Sequence, residues 1–129
     1  MNIQKVKKYW LDEAIEALQV AKHLFEKKDY SYALFFGHLS IEKVLKAIYA
    51  VKKGEQPPYH HNLLRLAEST GIQLTENQKK KLLKITTFNI ESRYPDEKRS
   101  FRKRCNENFT TRELNGIEEM FEWLKSMLP

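Results

Sequence analysis

Two apolar stripes run along a single predicted helix, Ser31 to Lys53. Ala33, Leu34, Gly37, Ile41, Val44, Leu45 and Ile48 recur at three-and-four spacing and mark a core-facing side. Phe35, His38, Leu39, Glu42, Lys46 and Tyr49 repeat that spacing on the other side. A wet face does not usually carry Phe, Leu and Tyr together. Another helix, a second copy of the chain or a ligand is expected to cover it.

Helical periodicity also predicts a first helix over about Lys5 to Lys28, with Trp10, Ala14, Ala17, Leu18, Ala21, Leu24 and Phe25 inward. Asp12, Glu13, Glu16, Lys22 and Glu26 take its polar side, and Asp29 is placed to cap the second helix. Gly54 followed by Gln56-Pro57-Pro58 stops that helix. A short helix is predicted from His61 to Ser69, ended by Gly71. Thr75-x-x-Gln78 reads as a capping box opening a helix to about Glu91. Thr110-x-x-Glu113 repeats the box before the stripe Leu114, Ile117, Met120, Phe121, Leu124, Leu128. Between them, Ser92 to Phe109 reads as a long loop that contributes at most a further helical turn, because Pro95 restricts Tyr94. No stretch reads as a strand, so the expected fold is all-α: one domain, residues 1–129, an antiparallel up-and-down bundle of four to five helices.

Composition narrows the function classes. The chain has 129 residues, 41% hydrophobic and 31% charged, which suits a folded domain. No apolar run approaches the ~20 residues of a membrane span, and the N-terminus lacks a secretory signal's apolar core, so a cytoplasmic location is expected. Cys105 is the sole cysteine, which removes an intrachain disulfide and a cysteine-based zinc site. No metal or other cofactor is expected. The net charge of +6 favours anionic partners, nucleic acid or nucleotides first.

Much of that charge is local: five of the seven residues from Lys98 to Arg104 are basic, with Phe101 among them. Such a run contacts phosphates without reading sequence, or is a solvated loop. Arg93 offers a bidentate fork for phosphate and Tyr94 a ring for base stacking; the bland alternative pairs Arg93 with Asp96 or Glu42 and plugs Tyr94 into the bundle end. Lys43 and Lys46 reach phosphate from the second helix, or form a surface pair with Glu42. His61 contributes to the same site or caps its helix, and His38 reads as structural. No Gly-rich phosphate loop or Ser-His-Asp order supports catalysis, and no catalytic residue is assigned.

Three landmarks stand in order: Ile41-Glu42-Lys43-x-x-Lys46-Ala47, Pro58-Tyr59-His60-His61-Asn62-Leu63 and Arg93-Tyr94-Pro95-Asp96. Trp10 leads the first helix, and Asp29-Tyr30-x-x-Ala33-x-Phe35 precedes the Glu-Lys pair. This pattern resembles the HEPN domain family, in particular its small single-domain members, over nearly the whole chain. The resemblance implies a helical bundle like the C-terminal region of kanamycin nucleotidyltransferase, often a homodimer. It also implies a minimal nucleotidyltransferase as partner, frequently in a toxin–antitoxin pair. Many members are RNases with an arginine, then about four to six residues, then a histidine. Here no histidine follows any arginine, since His23, His38, His60 and His61 all lie earlier than Arg65.

The expected function is therefore binding of a nucleotide or RNA through Lys43, Lys46, His61, Arg93, Tyr94, Lys98, Arg99 and Arg102, beside a nucleotidyltransferase. The rival readings are a dimeric adaptor without ligand and a toxin RNase with a non-standard residue set.

Overall fold

The computed structural model describes residues 1–60 and 62–129. It is all-helical among those residues, with six α-helices and one 3₁₀ turn. Helix α1, Ile3–Glu26, begins where the Asn2 side chain accepts from the Lys5 amide at 3.2 Å. Helix α2, Tyr30–Lys53, returns antiparallel along it after a three-residue turn. Asp29 holds the N-cap position without a side-chain bond; its amide donates to the Leu24 carbonyl and its carbonyl accepts from Ala33, both at 2.9 Å. Gly54 and Gly71 end α2 and α3 (Leu63–Thr70) in the left-handed region, at φ 67° and 82°.

Helix α2 is the central element. Fourteen of its 24 residues are buried, because α1, α6 (Glu107–Lys125) and α3 wrap it on different sides. Its second stripe is thus covered mainly by this chain's own helices: Phe35, His38 and Lys46 are buried, and Leu39 packs partly against the core. Gly37 permits the close crossing of α6. A Cβ there would lie 2.8 Å from the Ile117 Cδ1.

Three sequence expectations are corrected. The helix opened by Thr75 does carry both arms of a capping box, but α4 spans Glu76–Thr86 and stops short of Glu91. The Thr86 and Thr87 hydroxyls donate back to the Leu82 and Lys84 carbonyls, and the chain then turns to bury Phe88 and Ile90. The expected loop is mostly a helix, α5, Pro95–Arg104, which raises the count from four or five to six. Pro95 sits in its first turn, Asp96 and Glu97 lie at its N-terminus and Arg102, Lys103 and Arg104 at its C-terminus, each matched to the helix dipole. Finally, α6 starts a turn before Thr110. Asn106 caps it by accepting from the Phe109 amide at 2.8 Å, and Thr110 is fully buried inside the helix.

Phe88, after α4, joins the last three helices. Its ring lies 5.7 Å from Phe101 on α5 and 6.4 Å from Phe109 on α6. Arginines cover the outside of this aromatic cluster: Arg93 and Arg104 each lie 5.5 Å from the Phe101 centroid, and Arg112 5.6 Å from Phe109.

Candidate functional site

The residues singled out in the sequence fall into two separate groups. The first lies where the start of α1 crosses the later half of α2. Lys46, with 11% of its side chain exposed, places Nζ 3.5 Å from Glu42, 4.6 Å from the Trp10 centroid and 5.8 Å from that of Tyr59. Lys43 lies 3.5 Å from Glu13 and 5.7 Å from Trp10. Each lysine thus already has a carboxylate and an aromatic face, so the pair clamps α1 onto α2 and is not a solvated surface pair.

The second group belongs to α5 and the residues just before it. Arg93 is half-buried: it donates to the Thr87 carbonyl and covers Phe101. Tyr94 is 78% exposed. Lys98 is partly exposed, Arg99 and Arg102 exposed. Arg102 Nη2 lies 3.3 Å from the Tyr32 hydroxyl, with the guanidinium 5.8 Å from that ring. An open depression of ≈ 460 Å³, lined by Arg93, Asp96, Glu97, Ser100, Phe101 and Arg104, lies on this face.

The structure does not bring the two groups into one groove. Tyr32, which meets Arg102, precedes Lys46 by fourteen residues on α2, a separation of about 21 Å along the helix axis. His61 lies outside the described residues. Sequence reading missed Tyr32, while Arg104 lay inside the basic run from Lys98 to Arg104. Tyr32 continues the second stripe of α2 toward its N-terminus, three residues before Phe35 and seven before Leu39, and that spacing was the available signal.

His38 is internal, as its place on an apolar face suggests. Its Nδ1 lies 3.3 Å from the Phe35 carbonyl, which only accepts, so that nitrogen carries hydrogen. Burial pushes its pKa below the usual value, opposed by Glu42 and the Phe35 carbonyl. Burial likewise raises the Cys105 thiol to about 11, against the pull of Arg104, so thiolate chemistry is suppressed there. Among the described residues no group of His, Cys, Asp and Glu is placed to hold a metal, and no helix is long and apolar enough to cross a membrane.

Comparison with known proteins follows this geometry. The HEPN domain family model matches residues 7–127. The fold is similar to that of TT1696 from Thermus thermophilus, a crystal structure, with TM-score 0.80 at 19% identity over 95% of this chain and 98% of that one. No curated protein sequence matches the chain.

Proposed function

The chain belongs to the HEPN domain family, and from that premise we propose that it binds single-stranded RNA along α5, beside a minimal nucleotidyltransferase in a toxin–antitoxin pair. The observation that carries the RNA reading is charge. From Arg93 to Arg104, six cations against two carboxylates leave +4 of the chain's net +6 on twelve residues. These side chains line an exposed helix with Tyr94 at its N-terminal edge and Tyr32 beside it. Cations track a phosphate backbone, and exposed rings accept bases only when those bases are unpaired. Arg93 and Arg104 are held against Phe101, so part of their conformational freedom is lost before any ligand arrives. Lys43 and Lys46, held in internal pairs, lie off this path and act on the fold. The family likeness supports the nucleotidyltransferase partner and the toxin–antitoxin setting. With no histidine following an arginine, binding is favoured over cleavage.

Stacking and charge separate experimentally. Tyr94→Ala should weaken a short single-stranded RNA by the ~1–3 kcal/mol of one lost stack while leaving the salt dependence unchanged, read by fluorescence anisotropy at several salt concentrations. An unaltered affinity would remove Tyr94 from the site.

The homodimer belongs to the same reading. Val20, Phe36 and Leu39 form an open apolar depression between α1 and α2, with Glu16 and the Glu13–Lys43 ion pair at its rim. A two-fold axis through it would cover Val20, Phe36 and Leu39 of one copy with the same side chains of its partner. Sedimentation at tens of micromolar should give a dimer that Leu39→Asp converts to monomer; a monomeric wild type would contradict this surface.

A further inference from the structure

We propose that the groove between α4 and α6 is a second binding site, for a small phosphorylated molecule with an apolar or planar body. It is distinct from the α5 surface and goes beyond the RNA reading. The two helices diverge and leave an open depression of ≈ 630 Å³, within the range of small-ligand pockets.

Its floor is apolar and its rim cationic. Ile85 and Ile117, both essentially buried, form part of the base, and Gly116 leaves the α6 wall without a side chain. Lys80, Lys81 and Lys84 project from α4 and Arg112 from α6, against two carboxylates, Glu113 and Glu119.

The pairing of these groups decides how much charge is available. Glu113 is buried to 8% exposure, and its Oε2 takes Lys84 at 3.4 Å and Arg112 at 3.3 Å. One carboxylate therefore serves two cations and gathers their heads from opposite walls to a common point. Lys84 and Arg112 remain 58% and 70% exposed, with donors left over. Lys81 is matched by Glu119 at 3.5 Å, while Lys80 has no carboxylate partner among the described residues. The groove keeps a net positive charge, and Lys84 and Arg112 converge on one point of it. A phosphate or diphosphate group fits that convergence, since guanidinium and ammonium donors both favour it. The Asn77 and Asn115 carboxamides on the walls supply donors and acceptors for the body of the ligand, which rests on the isoleucine floor. A long acidic peptide would need an extended surface, and this site is a short trough.

The test uses ATP, inorganic pyrophosphate and adenosine as probes on the full chain, by isothermal titration calorimetry at low salt. ATP and pyrophosphate should bind and adenosine should not. Arg112→Gln should weaken ATP about tenfold or more, the scale of a lost charge-assisted contact. Gly116→Leu carries the independent check. A Cβ at that position meets only the Lys81 side chain, Cε at an ordinary 3.6 Å and Nζ at 4.0 Å, so the fold should tolerate the change, which an unchanged circular dichroism melt checks. The larger side chain occupies the trough without altering charge and should also weaken ATP about tenfold. Arg102→Gln on α5 should leave ATP affinity within about twofold. Absence of ATP and pyrophosphate binding, an unchanged affinity in Gly116→Leu, or an equal loss in Arg102→Gln would overturn the proposal. Single-stranded RNA binding, measured in parallel, should be untouched by Gly116→Leu, so the groove and the α5 surface stand or fall separately.

Discussion

Phe88→Ala should lower the unfolding free energy by about 3–5 kcal/mol, the cost of an aromatic side chain deleted from a core. Domains of this class have only ~5–15 kcal/mol in total, so the variant should be partly unfolded at modest urea concentrations. Phe88 is 1% exposed and touches the rings of both Phe101 and Phe109. The loss should reach the surface as well. Phe101 is the ring against which Arg93 and Arg104 lie, so a displaced α5 releases two cations from their fixed positions. Urea denaturation followed by circular dichroism checks the first part. A loss under about 1 kcal/mol would mean that α5 and α6 are held by other contacts.

The long helices were legible because they carry long stripes. Helix α2 buries residues at helical spacing from Ser31 to Ala50, and α1 carries its apolar stripe from Trp10 to Phe25, patterns long enough to be hard to mistake. Helix α5 was not legible for the opposite reason. Phe101 is its sole buried residue, so no stripe exists, and its signals are a proline at the start and charges matched to its dipole. The two capping-box patterns show the limit of local motifs. Thr75 and Gln78 do bond reciprocally, at 2.9 and 3.1 Å. Thr110 and Glu113 fit the same pattern, but Asn106 one turn earlier takes the capping role, and Glu113 instead pairs with Lys84 and Arg112. The second face of α2 was visible as a stripe, and what covers it was not: burial depends on which helix returns over it, a property of the whole chain.

The candidate site divides along the same line. The basic run and Tyr94 are contiguous in sequence and remain contiguous in space. Lys46 and Arg93 lie far apart in the chain, and similar chemistry gave no information on whether folding joins them. It does not: Lys46 is enclosed between Trp10 and Glu42. The Arg102–Tyr32 contact spans 70 positions and could come only from the fold.

The second large effect is on RNA. Changing Lys98, Arg99 and Arg102 together to Gln should reduce affinity for a short single-stranded RNA by about a hundredfold or more at ~50 mM salt, as phosphate contacts and their released counterions are lost. Lys98, Arg99 and Arg102 each keep some surface exposure, so fold stability should change little. Total charge alone would also weaken RNA binding, so the control is a variant with the same change elsewhere. Lys5, Lys52 and Lys125 are exposed, distant from α5 in sequence and absent from its ion pairs and ring contacts.

The most direct measurement is the dependence of log K on log salt for wild type, the α5 triple variant and the Lys5/Lys52/Lys125→Gln variant, with one labelled single-stranded RNA. The wild type should weaken linearly with salt, and the α5 variant should lose about two units of slope, at roughly 0.7 per phosphate contact. The control should keep nearly the wild-type slope. No RNA binding at low salt, or the same loss of slope in the control as in the α5 variant, would contradict a defined RNA path along α5.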